Sequence, residues 1–162
     1  DTAAIQAAGQ KLLELAPNIR LIKDDNLQDD LISGEVGAAV MYTSQATVAM
    51  MTRPDLEMVF PEEGIGFGIM ASFIPSKAPN PDAAYKFMDY ILRPEVSAPC
   101  FEFLGYYCTN KDAEGQISEE IRPYLTLPAS FSKDDMEMIG NISAEAMEEH
   151  QKVWTEFKSA CE

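Results

Sequence analysis

The chain has 162 residues, of which 46% are hydrophobic and 9% aromatic, and its 12 basic and 27 acidic side chains give a net charge of −15. A chain of this length and composition folds around a sizeable core and is not a disordered segment. The negative charge repels phosphate backbones, so we expect no nucleic-acid partner. It would instead attract cations, or simply keep the protein soluble.

Side chains typical of catalytic and metal centres are sparse. Cys100, Cys108 and Cys161 include no CxxC spacing, and His150 is the only histidine. We therefore predict no catalytic residue, no metal site and no cofactor. Seven residues separate Cys100 from Cys108, and an exported protein would permit a disulfide between them. Reduced structural thiols are the alternative.

The first sixty residues alternate between helical and extended patterns. The predicted helices are 2–15, 26–32 and a third that Thr43 or Ser44 caps and that runs to about Met51; the predicted strands are 19–23, 36–42 and 57–60. Repeated strand–helix order predicts right-handed crossovers and an α/β fold. We expect a mixed, mostly parallel sheet with helices on both faces.

A glycine-containing loop, one strand and one helix are predicted over 60–96. The apolar run Ile69–Ile74 is typical of a strand that is buried on both faces. Asn80 and Pro81 suit the N-cap and first position of a helix. An apolar stripe then continues to Leu92, so we predict a helix from Pro81 to about Leu92.

The remaining third of the chain is predicted to be helical with loops between. One helix covers 94–104 and ends at Gly105, a short helix lies near 118–122, and Ser143 caps a long last helix. We see no repeat and no interdomain linker, so residues 1–162 are predicted to form a single domain.

The strongest candidate binding site lies where the strand 36–42 meets its helix. In open α/β sheets the ligand crevice lies beyond the carboxyl ends of the strands. Tyr42, Thr43 and Ser44 occupy that position. Free N–H groups and two hydroxyls there could hold a carbonyl or an anion, and Tyr42 could stack on an alkyl chain or face a cation. The alternative is that Thr43 or Ser44 only caps the helix.

Several stretches together resemble the spermidine/putrescine-binding proteins of bacterial ABC importers. These are FPEEG, the apolar strand that ends in Ile-Pro, and NPDAAYKFMDYILRPEV, with weaker likeness in LAPNIRLIKDDN and SGEVGAAVMYTS. The resemblance covers most of this chain but only the later half of such a protein. It implies the carboxyl-terminal lobe of a type II periplasmic-binding-protein fold.

The resemblance also implies site residues. Met41-Tyr42-Thr43-Ser44 occupies the positions of a Trp-Asn-Gly-Ser turn in those relatives, and Gly68-Ile69-Met70 occupies those of a Trp-x-Asp motif. The ring and the carboxylate of that amine clamp are both missing here. Either Glu62 or Glu63 substitutes for the acid, or the solute is not a standard polyamine. With Phe67, Gly68 and Met70, the Tyr42–Ser44 turn would form one wall of the cleft.

The implied function is that of the substrate-binding component of an ABC transporter. Two lobes would close on a polyamine-like cation and deliver it to permease subunits. The resemblance implies an exported protein, periplasmic or extracellular, with a lipid anchor as an option through a segment upstream of Asp1. In a full-length receptor, residues 71–101 would cross into the first lobe. In the isolated lobe we expect that segment to fold back on its own sheet or to pair with a second copy as a homodimer.

Two other functions fit the sequence less well. An α/β hydrolase-like enzyme could use Thr43 or Ser44, but the chain has no nucleophile elbow and no evident base. An acidic protein-interaction domain, docking a basic partner, is the second alternative.

Overall fold

The computed structural model describes residues 1–126, 136–138 and 140–162, which divide into two compact units. One unit comprises Asp1–Asn26 and Ile139–Glu162, and the other comprises Leu27–Met138.

The first unit is a pair of packed helices. Helix α1 (Thr2–Leu15) continues into a 3-10 turn (Ala16–Asn18), because Pro17 cannot extend the α-helical hydrogen bonding. The last helix of the chain, Ala144–Ala160, begins where Ser143 accepts a hydrogen bond from the Ala146 amide at 3.2 Å. Both predicted helices are confirmed. The buried residues of this unit are Gly9, Ala16, Ala146 and Phe157.

The second unit contains the other helices. They are α2 (Leu27–Ser33), α3 (Thr43–Thr52), α4 (Pro81–Ile91), α5 (Pro94–Leu104) and α6 (Lys111–Glu114), so the helix 144–160 is α7. The predictions for α2 to α5 are confirmed to within a residue or two. Gly105 ends α5 with φ 71°, the left-handed conformation that glycine adopts without strain. The core of the unit consists of Ala98, Ala113, Ile117 and Leu125, against which Phe101, Cys108 and Ile121 pack.

The predicted helix at 118–122 is wrong. Only a turn is present there, in which the Ser118 carbonyl accepts hydrogen bonds from the Ile121 and Arg122 amides. A 3-10 turn follows at Arg122–Tyr124. Helix α6, which the sequence did not predict, begins at Lys111 because the Asn110 side chain caps it.

The described sheet has two short parallel strands, β1 (Ile65–Phe67) and β2 (Met136–Met138), with Ile65 opposite Met136 and Phe67 opposite Met138. The strands predicted at 19–23, 36–42, 57–60 and 69–74 are wrong as paired strands, since none of these segments is in a sheet. The physical reason is exposure: Val40 is 99% and Phe73 82% exposed. An apolar run forms a buried strand only where neighbouring strands and helices cover it.

The three cysteines are free thiols, which agrees with the alternative of reduced thiols and not with the Cys100–Cys108 disulfide. Cys100 is exposed, whereas Cys108 packs against the core and its thiol donates to the Asn110 carbonyl at 3.2 Å. In the described part of the chain, no helix is long and apolar enough to cross a membrane.

Candidate functional site

The candidate site is built on the start of α3. Tyr42 is the N-cap, in an extended conformation, and its carbonyl accepts hydrogen bonds from the Gln45 and Ala46 amides at 3.0 and 3.2 Å. Thr43 and Ser44 therefore lie in the first turn, whose N–H groups have no carbonyl of the helix to bind. The first turn of α3 presents two amides to the surroundings.

The prediction that Thr43 or Ser44 caps α3 is wrong, because the helix begins one residue earlier. The Tyr42 side chain makes no capping hydrogen bond either. Among the described residues, the hydroxyls of Thr43 and Ser44 have no hydrogen-bond partner, and Tyr42 is 66% exposed. The hydroxyls and the phenol ring are therefore available to a ligand.

A buried hydrogen bond joins α3 to the residue that ends α5. Thr47, one turn further along α3, is 1% exposed, and its hydroxyl donates to the Gly105 carbonyl at 2.9 Å. The sequence indicated Gly105 only as a helix end and did not indicate Thr47, because 58 positions separate the two residues and no local motif joins them.

The other predicted site residues follow β1. Phe67 is the last residue of that strand and is half-buried, whereas Gly68 and Met70 are exposed. A Cβ atom built on Gly68 would have no heavy atom within 4 Å, so a larger side chain would fit there. In the described chain, no hydrogen bond or ring contact joins Phe67–Met70 to Tyr42–Ser44.

The loop that precedes β1 carries two acids, Glu62 and Glu63, and both are exposed. Within the described ranges, no group of three or more His, Cys, Asp or Glu side chains could hold a metal.

Two surface depressions lie elsewhere. One of about 600 Å³ lies between α1 and α7 and includes Gln6, Glu149 and Lys152; the other, of about 380 Å³, lies at the start of α4. Neither contains a predicted site residue. In the first, the Gln6 amide donates to the Glu149 carboxylate at 2.9 Å, and this hydrogen bond lowers the pKa of Glu149, with a smaller effect from Lys152. Neither depression includes the start of α3, where the first-turn amides and the Thr43 and Ser44 hydroxyls lie.

Comparison with known proteins identifies the class. Residues 1–127 match the family model described as bacterial extracellular solute-binding protein, and the chain belongs to that family. This is a family of solute-binding proteins, in agreement with the prediction of a transport component rather than an enzyme.

Individual relatives share the resemblance seen in the sequence. The chain is 31% identical over 157 residues to the spermidine/putrescine-binding periplasmic protein of Salmonella typhimurium, covering 94% of this chain and 45% of that protein. It is 32% identical over 127 residues to the protein of the same name from Escherichia coli, covering 78% and 36%. The chain thus spans less than half the length of these curated relatives.

A solved structure gives the fold. A protein from Listeria monocytogenes, assigned as a spermidine/putrescine ABC transporter, matches with a TM-score of 0.76 and 28% identity. The match covers 98% of this chain and 50% of that one. The predicted α/β fold of a periplasmic-binding-protein lobe is confirmed, although the sheet described here is small.

Proposed function

We propose that this chain is one lobe of the substrate-binding component of an ABC importer and that it binds a polyamine-like cation. The observation that carries the proposal is the open first turn of α3. Tyr42 is exposed there, and the hydroxyls of Thr43 and Ser44 have no partner among the described residues. Two hydroxyl oxygens can accept hydrogen bonds from an ammonium, and a tyrosine ring attracts a cation.

The second wall of the site would be Phe67, Gly68 and Met70. None of these side chains carries a charge, so an ammonium in this cleft must find its counter-charge elsewhere. Glu62 and Glu63 are the nearest acids in sequence. We therefore propose weak polyamine binding by this chain alone, with a dissociation constant on the order of millimolar.

The partner and the location follow from the relatives. Their names place them in the periplasm as spermidine/putrescine-binding proteins. We propose that a receptor with this lobe is exported, with a lipid anchor as one means of retention. It would close on its solute by a hinge motion and deliver it to ABC permease subunits.

Residues 71–101 are proposed to cross into a neighbouring lobe in a full receptor. The support comes from the first part of this segment, because α4 has no buried residue, whereas Ser97 and Ala98 in α5 are buried. In the isolated chain, a second copy of the protein would cover the α4 face.

A titration of the ¹⁵N-labelled chain with spermidine tests the site. We expect amide shifts at Tyr42–Ser44 and at Phe67–Met70 that persist in 0.5 M salt, which screens the general attraction of cations to a chain of charge −15. Tyr42→Ala should weaken the response. Tyr85→Ala is the matched control, because Tyr85 in α4 is also 66% exposed.

Two results would contradict the proposal. Shifts spread over all acidic residues and lost in 0.5 M salt would indicate unspecific attraction, or an acidic docking face. An equal loss of response in the Tyr42 and Tyr85 variants would remove the site from α3.

A further inference from the structure

The start of α3 is joined to the end of α5 by one buried hydrogen bond. The Thr47 hydroxyl donates to the Gly105 carbonyl at 2.9 Å and lies 3.4 Å from the Tyr124 carbonyl. Buried polar groups are nearly always paired, since an unpaired one loses its water without compensation. If the hydroxyl were removed, the Gly105 carbonyl would lose this partner.

The backbones of the two elements also touch. A Cβ atom on Gly105 would lie 3.0 Å from the Ser44 carbonyl oxygen and 3.3 Å from the Ser44 Cα. These are main-chain atoms that cannot rotate away, and the φ of 71° at Gly105 already disfavours any other residue. The end of α5 can approach the first turn of α3 this closely only because residue 105 is glycine.

We infer that Thr47 and Gly105 are positioning residues for the solute edge formed by Tyr42, Thr43 and Ser44. This inference rests on the proposed function. Neither residue touches the solute. Their contact holds the first turn of α3 in one position, so that the Thr43 and Ser44 hydroxyls, whose oxygens would accept from an ammonium, need not be ordered when a cation binds. Groups that are ordered in advance reduce the entropy cost of binding.

The alternative is that the contact only adds stability to the fold. A structural role would change the unfolding midpoint of the chain but not the affinity of the molecules that remain folded. A positioning role changes that affinity as well, so the two roles are separable by measuring both quantities on the same variants.

The experiment compares three variants of the 162-residue chain. Thr47→Val keeps the volume and removes the hydroxyl, Thr47→Ser keeps the hydroxyl, and Thr52→Val makes the same change at the other end of α3. The Thr52 hydroxyl is exposed and bonded to the Val48 carbonyl of its own helix. Spermidine is titrated at 0.5 M salt, below the unfolding temperature of each variant, and the amide shifts of Thr43 and Ser44 are followed.

We expect Thr47→Val to raise the dissociation constant about three- to tenfold, the effect of losing one ordinary hydrogen bond. Thr47→Ser and Thr52→Val should stay within about twofold of the unmodified chain on the same scale. If Thr47→Val does not fold, Thr47→Cys provides a second variant. Its thiol is a weaker donor, and the affinity loss should have the same direction.

Failure of this inference differs from failure of the proposed function. If the unmodified chain responds to spermidine and the Thr47 variants bind equally well but unfold earlier, the positioning role is wrong and the site stands. If spermidine causes no amide shifts at Tyr42–Ser44 in the unmodified chain, the proposed function is wrong, and the positioning role is wrong as well.

Discussion

Gly9 in α1 lies directly against Val153 in α7, so closely that a Cβ on Gly9 would come within 2.7 Å of the valine Cγ1 and 3.0 Å of its Cγ2. Alanine at this position would gain about 1 kcal/mol of helix propensity. A valine on a helix has one strongly preferred rotamer and cannot easily turn away. Overpacking costs typically about 1–3 kcal/mol.

We therefore expect Gly9→Ala to lower the free energy of unfolding by about 1 kcal/mol in a urea titration. The double variant Gly9→Ala/Val153→Ala should lose the clash. Gly115→Ala is the control, because no heavy atom lies within 4 Å of a Cβ built there. Equal effects at Gly9 and Gly115 would show that the close approach has no energetic consequence.

The hydrogen bond from Gln6 to Glu149 predicts a pH-dependent stability. It lowers the pKa of Glu149 from its ordinary value of 4.5. A carboxylate with a depressed pKa in the folded state stabilises the protein above its unfolded-state pKa, and this contribution is lost as pH falls through the folded-state pKa. Gln6→Met should therefore cost stability at pH 7 and cost nothing well below pH 4.5.

The measurement is a ¹³C titration of the Glu149 carboxyl, whose pKa should rise towards its ordinary value in the Gln6 variant. Gln10→Met is the matched control, because Gln10 lies on α1 and lines the same depression as Gln6. A pKa of Glu149 that does not change in Gln6→Met would assign the shift to Lys152 instead.

The cysteines are expected to react as three free thiols in unreduced, denatured protein. In the folded chain, Cys100 should react first with a thiol reagent because it is exposed, while Cys108 and Cys161 are half-buried. Cys100→Ser should remove the fast phase and Cys161→Ser should leave it. A count of one thiol before reduction would mean that two cysteines are bridged.

The ring and the carboxylate that the resemblance places at positions 68 and 70 are missing, and restoring them should raise the affinity for spermidine. Gly68→Trp/Met70→Asp supplies the ring and the carboxylate that the resemblance places at these positions, and the space around Gly68 is open. A charge-assisted hydrogen bond is worth about 1.5–3 kcal/mol, so spermidine affinity should rise roughly ten- to a hundredfold in calorimetry.

The control for this variant is Gly115→Trp/Met147→Asp, which adds the same ring and the same charge at an open glycine and an exposed methionine. Submicromolar binding by the unmodified chain, with little gain on restoration, would mean that Glu62 or Glu63 already supplies the carboxylate.

The helices could be predicted from the sequence because their ends depend on neighbouring residues. Pro81 begins α4, Gly105 ends α5 and Ser143 caps α7 through contacts that span only a few positions. Strands depend instead on distant partners: β1 at Ile65–Phe67 pairs with Met136–Met138, about seventy residues away. Apolar runs alone therefore indicated strands in the wrong places.

The site was only partly predictable for the same reason. Tyr42–Ser44 stands out because a helix start follows an apolar run. The support behind it, the hydrogen bond from Thr47 to Gly105, joins residues 58 positions apart and has no local signature. Function could be inferred from the sequence mainly through the resemblance, since composition and spacing alone left an enzyme and an acidic docking domain open.

The uncovered face of α4 predicts self-association of this chain. Phe87 is 63% exposed, and no residue of α4 is buried. Burying one large apolar side chain is worth about 1.5–3 kcal/mol, so pairing two such faces is favourable once salt screens the charge of −15. Light scattering at high concentration in 0.5 M salt should detect a dimer. Phe87→Gln should shift it towards monomer, whereas Lys86→Gln, one residue away on α4, should not. A strictly monomeric chain, with the α4 amides that follow Pro81 strongly protected from hydrogen exchange, would mean that α4 is covered by its own chain.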